Sequence, residues 1–335
     1  MGENQCKMKN YFASLALLLM VGAFGCRQPA PETADTAKAP YRILFDTDAN
    51  NELDDQHALA YLLLQPELFE IAGVTTNATV SGGEIALHTA EAERIVHLCN
   101  RPDVKVTSGA DGIYRDILPH IQDGAFDGKA AVDLIIQAAH AADERPLILV
   151  PVGKLTNIAL ALAKDPTIIP KVRIVWLGSN WPEPGEYNLD GDTTAVNPVL
   201  QTPGLDLRIL TVRYGEATGT AAVTASVPEI RTKMAGKGPK VAPLEGRHGG
   251  QFTCFGDYSI SLFENIGDPE RALFDLCALS ILKNDTWASA VKTPAPMLQG
   301  RAWGAAPSEA PEITFLENFN RDAILKDFYE VMEQR

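Results

Sequence analysis

Residues 42–64 constrain the chain more than any other stretch. A short apolar run, Ile43-Leu44-Phe45, ends in Asp46-Thr47-Asp48, and Asn50, Glu52, Asp54 and Asp55 follow at once. An apolar helical pattern then begins, with Ala58, Leu59, Tyr61, Leu62 and Leu63. This reads as a strand, an acidic loop and a helix. The loop falls where an α/β sheet places its ligands, at the carboxyl end of a strand. Carboxylates at this density repel one another and raise each other's pKa unless a cation sits among them. The competing reading is a solvated loop with one Asp capping the helix, but a cap needs a single carboxylate.

The rest of the chain repeats the alternation. Strand patterns at 69–76, 103–107, 146–152, 172–177 and 207–212 are separated by helical patterns at 55–64, 84–99, 129–142, 156–164 and near 193–200. Residues 109–128 and the Pro- and Gly-rich 178–191 read as irregular connections. Such alternation predicts an α/β fold: an open, mostly parallel sheet with helices on both faces, Rossmann-like in layout. Residues 215–270 are less regular, with a Gly-rich stretch at 236–256 that reads as a flap, and a last strong helix is expected over 270–283. No break in composition divides 41–335, so that span is expected to be one domain.

The N-terminus reads differently. Lys7 and Lys9 precede an apolar run over 11–24 that is too short for a comfortable membrane span and ends at Gly25-Cys26. Residues 1–26 therefore read as a signal peptide. Ala23-Phe24-Gly25-Cys26 is similar to a bacterial lipoprotein cleavage site, with Cys26 as the lipidated residue and Phe24 as an unusual occupant. Residues 27–40, with Pro29, Pro31 and Pro40, read as a tether. The expectation is an exported protein, periplasmic or held to a membrane only by that lipid. The remaining Cys99, Cys254 and Cys277 make no disulfide framework and no Cys-x-x-Cys metal spacing. A net charge of −14 argues against nucleic acid as a partner, and 46% hydrophobic content in 335 residues suffices for a large core.

Several motifs narrow the chemistry. Asp46-x-Asp48-x-Asn50 imitates the start of an EF-hand loop, but Asn51 replaces the required Gly and His57 replaces the bidentate Glu. Asp46-x-Asp48 after a strand also suits an aspartyl-nucleophile phosphatase, which leaves the Asp54-Asp55 pair unexplained. Leu149-Val-Pro-Val-Gly-Lys-Leu-Thr-Asn157 is a strand, a Gly turn and a helix start, where Thr and Asn serve equally as caps. Glu186-Tyr187-Asn188, with Asn180, Trp181 and Asp192 on the same loop, offers amides and aromatics suited to sugar hydroxyls and a ring. Asp275, in an apolar helix start, is expensive to bury without a cation or a cap to satisfy it.

In this order, the motifs resemble those of the inosine–uridine-preferring nucleoside hydrolases, over most of residues 41–290. The resemblance implies one calcium ion at the carboxyl end of the sheet, binding a water and the ribose 2′- and 3′-hydroxyls. It implies hydrolysis of the N-glycosidic bond of a ribonucleoside or related riboside through an oxocarbenium-like transition state. Asp48 is then the general base and a calcium ligand, with Asp55, the Val152 carbonyl and Asp275 as further ligands. Asp54, Glu186 and Asn188 become ribose-hydroxyl partners, with Asp192 at the following acidic position. Family members are commonly homo-oligomers. A calcium-dependent riboside-binding lipoprotein without turnover is the alternative, followed by the phosphatase.

Three features depart from the family pattern. Asn50-Asn51-Glu52-Leu53 lengthens the acidic loop, which leaves Asp46 competing with Asp48 as base and makes Asn50 or Glu52 an added ligand. Asn77 stands closer to Thr75-Thr76 than the family's Asn does, and is its expected substitute in substrate binding. Phe274 occupies a position often held by His. Phe stacks on a ring but delivers no proton, so His248, Tyr214, Arg247 and Trp181 become candidates to activate the leaving group. His57, at the helix start beside the acidic pair, reads as a residue that supports the site from behind or as structural.

Overall fold

The apolar run ahead of the acidic loop forms β1, Tyr41–Thr47, buried along its length after Tyr41. A strand covered on both faces has no solvent side, which is why its apolar residues run on without alternating. The computed structural model describes residues 38–334. The signal peptide, Cys26 and all of the tether up to residue 37 lie outside them. Among the described residues, no helix is long and apolar enough to cross a membrane.

The other strands of the main sheet are β2 (Phe69–Thr76), β3 (Val106–Thr107), β4 (Leu147–Pro151), β5 (Val172–Ser179), β6 (Asp206–Thr211), β7 (Ser289–Pro294) and β8 (Glu312–Glu317). The sheet is 8-stranded, in the order β7-β8-β6-β5-β4-β1-β2-β3. Every pairing is parallel except β7 with β8 at one edge. Helices pack on both faces. Asp54–Leu63, Ile85–Leu98 and Leu276–Lys283 share one apolar core, and Lys129–His140, Thr156–Lys164 and Thr193–Leu200 share the other. The open, mostly parallel α/β sheet anticipated from the alternation is thus the fold. Cys99, Cys254 and Cys277 are buried free thiols.

From β1 the chain runs outward through β2 and β3, then returns to place β4, β5 and β6 on the other side. The crevice at such a reversal, beyond the carboxyl ends of the central strands, is where open α/β sheets hold ligands. Register aligns Asp46 of β1 with Pro151 of β4, and Val152 donates its N–H to the Asp46 carbonyl at 2.8 Å. The two strand ends therefore finish level.

The C-terminal half differs from the expectation. The helix anticipated over 270–283 is a short strand, Glu270–Ala272, followed by the helix Leu276–Lys283. It is not the last helix, since the β7–β8 hairpin and the helix Arg321–Glu333 follow. Within 215–270, two helices form, Val227–Met234 and Phe255–Ile266. Ser226 caps the first, accepting from the Glu229 N–H at 3.3 Å, so Ser-x-x-Glu was its legible start signal. Gly256 disguises the second: a Cβ there would lie 2.0 Å from the Met234 carbonyl, so this glycine serves close helix packing. The Gly-rich stretch is a hairpin, Leu244–Glu245 with Gln251–Phe252, held against the helix Ile85–Leu98 by Arg94 Nε donating to the Glu245 carbonyl at 2.7 Å. None of its residues lines the acidic cavity, though Arg247 Nη2 donates to the carbonyl of Glu52 on the cavity wall at 2.7 Å.

Candidate functional site

A cavity of about 300 Å³ opens beyond the carboxyl ends of β1, β4, β5 and β6. Its acidic part is formed by Asp48, Asp54, Asp55, Glu186 and Asp275, all buried. Helix capping does not account for them. Leu53 precedes the helix Asp54–Leu63 with no side-chain cap, and Asp275 precedes Leu276–Lys283 without making one. Asp48 Oδ2 and Asp275 Oδ1 are buried with no hydrogen-bond partner. Leaving buried acceptors unsatisfied is costly, so these two atoms on one cavity wall are suited to accept from, or coordinate, a bound group.

Electrostatics point the same way. Burial, then the neighbouring Asp55, pushes the Asp54 carboxyl up to about 8. Burial pushes Asp55 up to about 6 and Glu186 up to about 7. Asp48 and Asp275 are raised well above the carboxylate range, by burial first and then by the surrounding aspartates. Without a counter-charge, the cluster resists ionisation.

Asp46 and Asp48 are distinguished by their surroundings. Asp46 Oδ2 accepts from Thr75 Oγ1 at 2.6 Å and from Asn157 Nδ2 at 2.7 Å, and its Oδ1 accepts from Asn77 Nδ2 at 2.8 Å. It is a filled acceptor outside the cavity wall. Asp48 lies on the wall with a free oxygen. Gly153 makes room for this arrangement: a Cβ there would stand 2.7 Å from Asn77 Nδ2 and 3.0 Å from Asp48 Oδ1.

The remaining anticipated residues divide. Val152, Glu186, Asn188 and Phe274 line the cavity with the aspartates. Asn188 Nδ2 donates to the Val152 carbonyl at 2.8 Å and to the Leu177 carbonyl at 3.0 Å. Glu186 Oε2 accepts from the Leu189 N–H at 2.8 Å, which fixes the loop after β5. Asn77 is not on the wall. It is buried behind the wall, where its Nδ2 donates to Asp46 and its Oδ1 is a buried acceptor with no partner, as are Asp48 Oδ2 and Asp275 Oδ1. Asp192 is also a brace: its Oδ2 accepts from the Tyr114 N–H at 2.7 Å and Thr156 Oγ1 at 2.6 Å. His57 is structural, bonded to the Leu53 carbonyl and Ser259 and packed among Phe255, Phe263 and Phe328. Of the residues considered for leaving-group activation, only Tyr214 reaches the wall; Trp181 stacks on Phe315 instead.

Arg271 escaped the sequence reading altogether. It lines the cavity from Glu270–Ala272, forms an ion pair with Glu52, and sets its guanidinium 5.8 Å from the centre of the Phe274 ring. Nothing in its local sequence signals this, because its partner lies far away in the chain. The lengthened acidic loop also resolves. Asn50 Nδ2 donates to the Gly82 carbonyl at 2.7 Å, and Asn51 Oδ1 accepts from Ser81 Oγ at 2.5 Å. Asn50 and Glu52 thus have protein partners, Asn50 off the cavity wall and Glu52 on it, paired with Arg271.

Asp54, Asp55 and Asp275 each offer an oxygen within 4.8 Å of the others. Oxygens about 2.4 Å from a shared hard cation are separated by no more than about 5 Å. The donors are all oxygens, and one of the three residues, Asp275, carries a buried oxygen with no partner, so the residues fit such an ion. Asp54, anticipated as a sugar partner, belongs to this group. Asp48 stands beside it, its N–H donating to Asp55 Oδ1 at 3.2 Å.

Fold and site together define an open α/β protein with a buried, oxygen-lined cation site at the reversal of its strand order. The model of the inosine-uridine preferring nucleoside hydrolases matches residues 43–326, and the chain belongs to this family. It is 33% identical over 182 residues to the pyrimidine-specific ribonucleoside hydrolase RihA of Shewanella baltica, covering 48% of this chain and 55% of that protein. RihA of Klebsiella pneumoniae is 32% identical, with 48% and 57% covered. The chain spans about half the length of the curated relatives it matches. Among solved structures, the plant nucleoside hydrolase PpNRh1 superposes with a TM-score of 0.69 at 18% identity, covering 88% of this chain and 100% of that one. The inosine-uridine preferring nucleoside hydrolase from Bacillus anthracis gives 0.65 at 17%, with 88% and 100% covered. These likenesses show the fold.

Proposed function

We propose that the protein hydrolyses the N-glycosidic bond of ribonucleosides or a related riboside, with calcium as cofactor. The observation that carries this is the buried carboxylate cluster with orphaned oxygens on Asp48 and Asp275, in a chain of this family. Asp48, Asp55, Asp275 and the Val152 carbonyl would hold the ion, and Asp54, within 4.8 Å of Asp55 and Asp275 through its own oxygen, would join them. When bound, calcium supplies the positive charge that keeps these carboxylates ionised and makes a nearby water more acidic.

Asp48 takes a proton from the attacking water, using the oxygen that no protein group occupies. Water adds to the anomeric carbon, the C–N bond breaks, and its electron pair leaves with the base. Glu186 and the free Oδ1 of Asn188 accept from ribose hydroxyls and orient the sugar. The acidic wall favours the positive charge that develops on the ring. Phe274 stacks on the departing ring. A second reading, riboside binding without turnover, draws on Phe274, which cannot protonate a leaving group.

The sequence of residues 1–40 supports export, with lipid attachment at Cys26 holding the enzyme in a bacterial envelope, periplasmic or membrane-anchored. Homo-oligomerisation is proposed on the family resemblance alone. The test is ribose release from inosine, uridine, adenosine and a nitrophenyl riboside, with calcium and with chelator. Release abolished by chelator supports hydrolysis. Calcium-dependent ribose binding without release supports the second reading, and release of phosphate from phosphomonoesters with magnesium would overturn both.

A further inference from the structure

A base leaving a ribosyl carbon carries away the bonding electron pair. Unless it is protonated as it goes, it departs as an anion whose charge spreads over its ring nitrogens and oxygens. That charge needs a donor. Phe274 provides none, and Tyr214, a neutral O–H donor on the same wall, carries no charge to offset it and packs edge-to-face with Phe274 at a centroid distance of 6.2 Å and an interplanar angle of 73°. The guanidinium of Arg271 is the cation on the same wall, 5.8 Å from the centre of the Phe274 ring. Its Nε is buried and has no hydrogen-bond partner. Its ion pair with Glu52 ties it to the lengthened acidic loop.

We propose that Arg271 is the leaving-group residue: it donates hydrogen bonds from its guanidinium to the negative charge developing on the departing base, while Phe274 carries the ring. This rests on the hydrolase reading above and deepens it. Arg does not deprotonate in proteins, so it acts by charge stabilisation and not by proton transfer. The C–N bond breaks, its electron pair goes to the base nitrogen, and the base then takes a proton from solvent water. The substrate class follows. An all-donor group selects aromatic nitrogen heterocycles that present ring nitrogen or carbonyl acceptors toward it. Glu52 is a positioning residue, holding the guanidinium at the ring.

The test is leaving-group dependence. Kcat is measured for wild type, Arg271→Met, Arg271→Lys and Glu52→Gln with inosine, uridine and a nitrophenyl riboside, whose phenolate leaves readily unaided. For Arg271→Met, kcat on the nucleosides should fall about 100-fold, the loss typical of one transition-state donor. On the nitrophenyl riboside it should fall by no more than about 5-fold, and Arg271→Lys should recover part of the nucleoside rate. Glu52→Gln should show the same selectivity, with a smaller loss. Equal losses on all substrates, or undiminished nucleoside turnover, overturn the proposal. Thermal melting with calcium identifies any unfolded variant, and Arg271→Lys or Glu52→Gln then carries the comparison. Wild type that turns over no riboside removes the hydrolase reading itself, and the proposal with it.

Discussion

Replacing Gly153 with Ala tests the geometry around the base. The added Cβ would lie 2.7 Å from Asn77 Nδ2, 2.8 Å from Asn77 Oδ1 and 3.0 Å from Asp48 Oδ1. Ordinary contact begins at about 3.5 Å, so something must move by about 0.5–0.8 Å. Asn77 has little freedom to retreat, because its Nδ2 donates to Asp46 at 2.8 Å and Asp46 is gripped by Thr75 and Asn157. Gly153 is equally fixed: its carbonyl accepts from Trp176 Nε1 at 3.1 Å. The overlap is largest with Asn77 and about 0.5 Å with Asp48 Oδ1, and Asp48, whose Oδ2 has no partner, is the reacting group that shifts. A misplacement of about 1 Å at a reacting group costs about 100-fold in rate, so a shift of about half that costs about 10-fold. Overpacking of this kind costs about 1–3 kcal/mol in stability. The assay is kcat for ribose release beside thermal unfolding with saturating calcium. The expected result is a folded protein, melting a few degrees lower, with kcat down about 10-fold. A folded Gly153→Ala variant with wild-type kcat would refute the reasoning, because it would show that Asp48 tolerates displacement.

Three further outcomes follow from the same residues. Asp48→Asn should keep the fold and lower kcat by about 10²–10⁴-fold, the range for a lost general base; wild-type turnover would remove Asp48 from that role. Asp275→Ala should weaken calcium binding, read by titration calorimetry, and unchanged affinity would take Asp275 out of the ion's ligand set. Asn157→Ala leaves the Ala110 N–H and the Thr76 carbonyl without their partner and removes one donor from Asp46. Each unmet buried group costs about 1–3 kcal/mol, so urea denaturation should show a loss of several kcal/mol.

Much of this was legible before any coordinates. A continuous apolar strand, then Asp46 to Asp55, then an apolar helix, encodes a local geometry in adjacent residues, and the alternation repeated along the chain dictates a parallel sheet. The helix Phe255–Ile266 was hidden because Gly256, a flexible residue in sequence terms, is there for contact with Met234, a neighbour only in the fold. Asn77 was visible only by its chain position; the fold turns its Nδ2 to Asp46, across the β1–β2 pairing, and leaves its Oδ1 buried without a partner.

The sequence alone determined the strand–loop–helix unit and the crowding of carboxylates, which are properties of neighbours in the chain; Val152, Glu186, Asn188 and Asp275 were singled out by resemblance to a family, and the fold brings them to one cavity. Tertiary structure decided which acids are free and which are filled. Asp46 is saturated by Thr75, Asn77 and Asn157, whereas Asp48 and Asp275 keep buried oxygens without partners. It also decided that Glu52 meets Arg271 beside Phe274. Hydrogen-bond satisfaction and ion pairing depend on atoms brought together from distant strand ends, and no local pattern of residues specifies them.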